Sequence, residues 1–393
     1  MVARIEDRWF TKKRGPDKKP IRKATHGVGL RWMAIWDDLD GKERTKKFPT
    51  KDQAQAHLDD ITTKKGTGSY INTDAGNTLI RDLLPQWSEA SVHWRASTRE
   101  SAESQINAHL KPYWGDWAVG AVRKRDVQDW VRTLNMAPRS VSTVHGRLVT
   151  FMGWCIEQEL LTKNPAIGVN LPKGFPREHI FLSVDQVTAL ANATHEHYRT
   201  LIWFLATTGL RIGEASELRV KDLRLEYGRI RVERSVMFKN GGQPVVGPPK
   251  SGKARTVSIL PGMASTLQGL ARGRAAEDLV FTSVTGAQIR RDNFKKRYFD
   301  TAVTTVNEAA AAELRKGNRS ALTLPKNIWV HDLRHTAASW LVRSGASVKA
   351  VQRMLGHATA SITLDVYAGL FDQDLDDVVE RMASIVPALG EAA

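Results

Sequence analysis

Large apolar residues alternate with smaller or polar ones from Leu30 to Asp37, which predicts a strand with one buried face. Asp40-Gly41 then offers a turn, and Glu43 to Phe48 runs back as a second strand. Thr50 stands where a helix cap is expected, with a helix over Lys51 to Lys65. The period then changes. Leu79, Leu83, Leu84 and Trp87 form one helical stripe, and Val141, Val144, Leu148, Phe151, Met152 and Cys155 form another. This segment reads as a four-helix domain, whose Trp87, Trp94, Trp114, Trp117, Trp130 and Trp154 serve as core. Further on the pattern is mixed. Helices are predicted near 184–193, 196–208 and 212–220, strands over Arg229 to Val236 and Arg255 to Ile259, and helices over roughly 289–314, 332–343, 347–355 and 372–386.

Two breaks divide the chain. Gly66-Thr67-Gly68-Ser69 reads as a flexible joint, and Asn164-Pro165 through Pro172 and Pro176 as a proline-punctuated linker. The expected fold class is therefore multidomain: an α+β segment over residues 1–72, an all-α segment over 73–176, and a mainly helical α+β segment over 177–393 with a small antiparallel sheet.

With 41% hydrophobic and 25% charged residues, a chain of 393 residues has material for a sizeable core and is not globally disordered. No run of about 18 apolar residues occurs and no signal peptide opens the chain, so a soluble intracellular protein without membrane partners is expected. Cys155, the single cysteine, excludes an internal disulfide and a cysteine-rich zinc site. The net charge of +16 changes the picture most, because it favours a polyanionic partner, nucleic acid above all. The excess concentrates in residues 1–72 and 177–393. Within the first, Lys12, Lys13, Arg14, Lys18, Lys19, Arg22 and Lys23 form a basic approach to the predicted hairpin, suited to binding phosphates; the plainer reading is a solvated charged face on a floppy tail.

Gly247 to Lys253 has the spacing of a phosphate loop, but Ala254 stands where the magnesium-binding hydroxyl belongs, and Pro248 and Pro249 remove backbone donors. Read as a hairpin, the stretch presents Lys250 at a turn. His331 and His335 are four apart like the ligands of a zinc protease, yet the Glu is missing and Arg334 lies between them, so no metal is expected. The spacing of His331 and Arg334 instead suits an anionic oxygen. Arg211 and Glu214 read as a surface ion pair when taken alone, and the segment through Ser344-Gly345 to His357 resembles a helix-turn-helix. Taken together, Arg211, Lys250, His331, Arg334, His357 and Tyr367 supply the cations, proton carriers and nucleophile that phosphoryl transfer from a nucleic-acid phosphodiester needs, with no metal and no cofactor.

In this combination the chain resembles the tyrosine recombinases, specifically the phage-type integrases. The resemblance rests on Thr-Thr-Gly-Leu-Arg211-Ile-Gly-Glu, Pro-Lys250-Ser-Gly-Lys-Ala-Arg-Thr-Val, His331-Asp-Leu-Arg334-His-Thr, Leu-Gly-His357 and Asp365-Val-Tyr367, in the family's order, and is strongest over about residues 180–385. It implies an arm-type DNA-binding domain over 1–72, a helical, SAM-like core-site-binding domain with its linker over 73–176, and a catalytic domain with a tail helix over 177–393. It also implies roles. Tyr367 attacks the scissile phosphate to form a 3′-phosphotyrosyl link, Arg211 and Arg334 clamp the non-bridging oxygens, Lys250 protonates the leaving 5′-oxygen, and His331 and His357 bond the phosphate and help with the tyrosine proton. Glu214 and Asp332 look supporting, as orienters of the arginines. His335 has no role assignable from spacing.

The implied function is integration of a phage or mobile element at double-stranded attachment sites by a homotetramer in the bacterial cytoplasm, at the nucleoid. An excision factor and a host DNA-bending protein are possible partners. Leu375, Val378, Val379, Met382 and Ile385 fit a tail helix that docks either on a neighbouring subunit or on its own domain. The alternatives are a dimer-resolving recombinase, a type IB topoisomerase and, without catalysis, a DNA-binding regulator. Tyr298, in a basic helix, is the rival nucleophile.

Overall fold

The computed structural model describes residues 3–15, 18–38, 41–67, 70, 76–175, 177–238 and 242–371, together with 379 and 382. Asp40 of the predicted turn, Gly68-Ser69 of the joint, residues 71–75 around the first boundary, Pro176, and most of the predicted 372–386 helix with Leu375, Val378 and Ile385 lie outside the described residues. The chain forms two compact units, residues 1–175 and 176–393. Among the described residues, no helix is long and apolar enough to cross a membrane.

The first unit opens with an antiparallel sheet, ordered β1 (Arg4–Asp7), β4 (Trp32–Asp37), β5 (Glu43–Phe48). Ile35 faces Thr45 across one ladder, and Ala34 faces Ile5 across the other. Helix α1 (Lys51–Gly66) starts where Thr50 accepts a hydrogen bond from the Gln53 amide. Its Ala54, Leu58 and Ile61, spaced along one face, bury against Ala34 and Trp36. The hairpin β2 (Phe10–Arg14) with β3 (Pro20–Arg22) is inserted between β1 and β4 and was not predicted. Here the basic stretch folds rather than trailing as a floppy tail.

A separate core follows, built by α2 (Ile80–Ala90), α3 (Ala96–Gln105, continued by a π-helical turn and Lys111–Trp114), α4 (Lys124–Thr133) and α5 (Pro138–Glu157). Trp87, Trp114 and Trp130 are buried in it, with Trp94, Trp117 and Trp154 packed against it. Buried Cys155, its thiol pushed up to about 12 by desolvation, is an inert part of the same core.

The second unit packs α6 (Val184–Ala193), α7 (Glu196–Thr208) and the long helix α10 (Asp300–Arg315, preceded by Arg291–Phe294 and a π-helical turn) around one apolar core. Helix α8 (Ile212–Ala215) is short, and this corrects the predicted 212–220 helix. The amides of Val220 and Lys221 bond to the carbonyls of Asp278 and Ala276, and the Val280 amide bonds to Leu218, so the 276–280 segment takes over backbone groups that a continuing helix would need. The predicted strand over Arg229 to Val236 is also two strands. β7 (Arg229–Val232) lies between β10 (Arg255–Ser258) and β6 (Leu223–Arg224), while β8 (Ser235–Phe238) pairs with β9 (Pro244–Gly247) in a sheet of its own. Helix α9 (Pro261–Ala271) was unforeseen. Helices α11 (Asp332–Arg343), α12 (Val348–Leu355) and α13 (Ala360–Phe371) close the unit over a smaller cluster that includes Tyr367.

Candidate active site

Gly209 ends α7 in the left-handed conformation, φ +66°, and a Cβ there would lie 2.5 Å from Leu355 Cδ2 and 3.3 Å from Ala337 Cβ. Only glycine lets the end of α7 approach α11 and α12 this closely. The approach carries Arg211, two residues on, to Arg334.

Arg334 is 2% exposed. Its guanidinium donates to the carbonyls of Gly209 and Leu355, each at 2.7 Å, so three sequence motifs meet on one side chain. Burial, and next the charge of Arg211, push it down to about 9, which leaves it cationic at neutral pH. Arg211 caps α8, its amide and guanidinium bonding Glu214 at 3.0 and 3.1 Å. Glu214 is 1% exposed, so the pair is not the surface ion pair that the spacing alone suggested. It also receives two bonds from Arg255, at 3.0 and 2.7 Å. Burial by itself would raise the Glu214 carboxyl, but the bonds and charge of Arg255, then of Arg211, hold it below the ordinary carboxylate value.

Asp332 is the corrected member of the supporting pair. Its carboxylate binds Arg177 at 3.2 and 2.6 Å, rather than Arg211 or Arg334, and accepts from the Trp329 amide at 2.6 Å. It therefore fastens the entering segment of the unit, where Arg177 also stacks over Trp329.

Tyr367 on α13 is 1% exposed. Its hydroxyl lies 2.8 Å from His335 Nδ1, and its ring is nearly parallel to His357, with centroids 6.4 Å apart. Burial raises the phenol to about 12 against the opposing charges of Arg334 and Arg211. His357 is oriented through Nδ1 by Thr363 Oγ1 at 2.9 Å. Burial and the neighbouring cations push His357 down to about 4, and burial with His335, Arg334, Arg211 and Lys250 pushes His331 to about 3. Both imidazoles are thus neutral at neutral pH. Lys250 is exposed, in the loop after β9, and its charge reaches His331. That loop is not the predicted hairpin turn: β9 pairs with β8 and β10 with β7, so Lys250 sits on a crossing between two sheets.

The arrangement offers two guanidiniums, two neutral imidazoles and an exposed ammonium around a buried phenol, a set that can receive an anionic phosphorus centre. Among the described residues, no group of His, Cys, Asp and Glu is arranged to hold a metal ion. Tyr298 does not join the site; its ring packs on Tyr198 with centroids 4.6 Å apart, beside the main core.

Residues 181–374 match the model of the phage integrase family. That segment is a phage integrase family domain, and the chain that carries it is a tyrosine-type site-specific recombinase. The recombinase is similar to a XerC-like tyrosine recombinase of Caldanaerobacter subterraneus subsp. tengcongensis, at 24% identity over 379 residues, 89% of this chain and 94% of that protein. It is similar to the integrase of Mycobacterium phage FRAT1 at 24% identity over 368 residues, 91% of this chain and 98% of that protein. Its fold is similar to a solved structure of the Tn1549 transposon integrase in complex with a circular intermediate DNA, with TM-score 0.63, 18% identity, and 77% of this chain and 100% of that chain covered.

Two features of the recombinase's site escape a reading of its motifs. Arg255 lies within the quoted Lys250 motif, but its partners Glu214 and the Met354 carbonyl are distant in sequence. Its only early signal is an arginine in an otherwise alternating strand. Gly356, φ +70°, is the second; a Cβ there would stand 2.8 Å from Arg255 Cδ and Nε. Gly356→Ala is expected to destabilise the fold by about 1–2 kcal/mol through the left-handed backbone, and to slow DNA cleavage by displacing Arg255. Urea unfolding beside a cleavage assay checks both, and unchanged values would remove the packing argument.

Proposed function

We propose that this recombinase integrates a phage or related mobile element at specific double-stranded DNA attachment sites and, with an excision factor, removes it. Tyr367 is the nucleophile, Arg211 and Arg334 hold the non-bridging oxygens, Lys250 protonates the leaving 5′-oxygen, and His331 and His357 bond the phosphate. One phosphodiester is exchanged for a phosphotyrosine and then for a new phosphodiester, so the bond energy is conserved and ATP is not consumed. Two duplexes with two strands each require four nucleophiles, hence a tetramer on DNA. The observation that carries this reading is the buried Tyr367 phenol, set beside His335 and His357 and within the field of two arginines. Incubation with a nicked suicide duplex made from the DNA flanking the encoding gene tests it: a metal-independent covalent adduct mapping to Tyr367 is expected. Sequence-specific binding without an adduct, on a duplex whose cleavage site is independently known, would favour a regulator.

Residues 1–72 act in this proposal as the arm-site domain, residues 73–176 as the core-site domain and 177–393 as the catalytic domain. A basic hairpin supports the first assignment, and so does the likeness to a phage integrase over nearly its whole length. The XerC-like relative gives the dimer-resolving alternative its standing. Lys12, Lys13, Arg14, Lys18, Lys19 and Arg22 are exposed on and around β2 and β3. Lys23 differs: its ammonium bonds Glu6 and the Asp7 carbonyl, both at 2.8 Å, so it helps to hold the hairpin on β1. Replacing the six exposed residues by alanine is expected to lower the salt slope of DNA binding by about 0.9 for each phosphate that the variant no longer neutralises. Recombination between attachment sites should fall more than cleavage of a core site. Full recombination in that variant would sink the arm-site assignment.

A further inference from the structure

His335 ends the His-Asp-Leu-Arg-His motif and has no task in the roles above. Yet its Nδ1, at 2.8 Å, is the hydrogen-bond partner of the Tyr367 hydroxyl among the described residues. The groups that face it are His179, with ring centroids 4.3 Å apart, His331 at 5.1 Å, and the charged Arg177, Asp332 and Arg334. Burial, then His179 and the nearby arginines, push His335 down to about 4, so in neutral solution it holds a free lone pair. The buried phenol keeps its proton under the same conditions. The phenol therefore donates and Nδ1 accepts, with the ring proton on Nε2.

The other two histidines are placed differently. His357 Nδ1 is occupied by Thr363, and its ring lies parallel to the tyrosine ring rather than end-on to the hydroxyl. His331 makes no hydrogen bond to the phenol; it stands beside His335 and within reach of the Lys250 charge.

We propose that His335 is a catalytic residue, the acceptor of the Tyr367 proton during attack on the scissile phosphate. This rests on Tyr367 being the nucleophile. The phenolic oxygen bonds phosphorus as its O–H bond breaks, and that proton passes to His335 Nδ1. The P–O5′ bond breaks with its electron pair going to O5′, which takes a proton from Lys250. One proton moves within the protein, from the phenol to His335, and one leaves Lys250 for O5′, so the side chains keep the same total charge, and resealing runs the same transfers backwards. Entry of the phosphate's negative charge beside Arg334, one of the two arginines whose charge adds to burial in depressing His335, strengthens it as a base when the attack begins.

The test uses the full chain and the flanking-DNA suicide duplex in two forms, one ordinary and one with a bridging 5′-sulfur at the scissile phosphate, whose departure needs no proton. His335→Asn keeps an acceptor oxygen but takes no proton. Single-turnover adduct formation should fall about 10²-fold or more, with DNA affinity retained as proof of fold. The sulfur substrate should rescue Lys250→Ala but not His335→Asn, and a fluorinated tyrosine at 367, which ionises more readily, should restore rate to His335→Asn. Adduct formation at the wild-type rate or faster in His335→Asn would overturn the proposal, as would its rescue by the sulfur substrate. Should that variant fail to bind DNA, the unaltered chain on the sulfur substrate decides: slower attack in D2O supports a phenol proton in flight, and an unchanged rate overturns it. An adduct formed by Tyr367→Phe would instead bring down the nucleophile assignment beneath it.

Discussion

Tyr367→Phe is expected to abolish covalent capture of DNA while leaving DNA binding nearly intact. The substitution removes one oxygen and one hydrogen bond, that to His335, at a cost of about 1 kcal/mol. The ring stays in the cluster with Val342, Val351 and Leu355, so α13 keeps its packing. Tyr298, the rival nucleophile, packs on Tyr198 and does not replace the lost oxygen. The readout is a denaturing gel on the suicide duplex beside a native binding titration. Retained cleavage would refute the nucleophile, whereas loss of both cleavage and binding would point to misfolding.

The second large effect is expected from Glu214→Gln. The carboxylate is fully enclosed between Arg211 and Arg255, and the amide leaves both guanidiniums without a counter-charge beside buried Arg334. Breaking a buried pair in this way costs about 3–5 kcal/mol. Because Arg211 loses its orienting partner, adduct formation should also drop on the order of 10²-fold. The sign of the acid dependence follows from the lowered Glu214 carboxyl. Its stabilisation is complete above the ordinary value of 4.5 and is lost as pH falls through the lower folded value. Wild type should therefore lose stability toward acid more steeply than Glu214→Gln, so that the gap between them narrows. Urea unfolding at neutral and acid pH measures it, and a constant gap would show that Glu214 is not ionised in its pair.

What could be read ahead of the structure divides along physical lines. The site motifs are short and nearly contiguous, and a helix turn of three or four residues places His331, Arg334 and His335 without knowledge of the rest. Apolar periodicity worked for α5, whose buried residues include all six of the predicted stripe. It failed at 216–220, where backbone partners from 276–280 override local propensity, and at Lys250, where alternation could not reveal that the flanking strands join different sheets. The β2–β3 hairpin was hidden by its charge, because exposed strands carry no buried face to set a period. Arg255 with Glu214, and Arg334 with Leu355, are pairings across many residues, and only the fold brings them together. Asp332 was misjudged because adjacency to a motif says nothing of which way a carboxylate turns.

The enclosure of Tyr367 bears on the safety of the reaction. Phe181, from the entering segment, joins Val342, Val351 and Leu355 around a ring that is 1% exposed. An ester made at that oxygen would inherit the same shelter, and hydrolysis, which would leave a chromosome permanently cut, needs a water molecule where this packing leaves little room for one. On the role proposed for Tyr367, a broken strand held there would be preserved for an incoming 5′-hydroxyl by dryness rather than by speed.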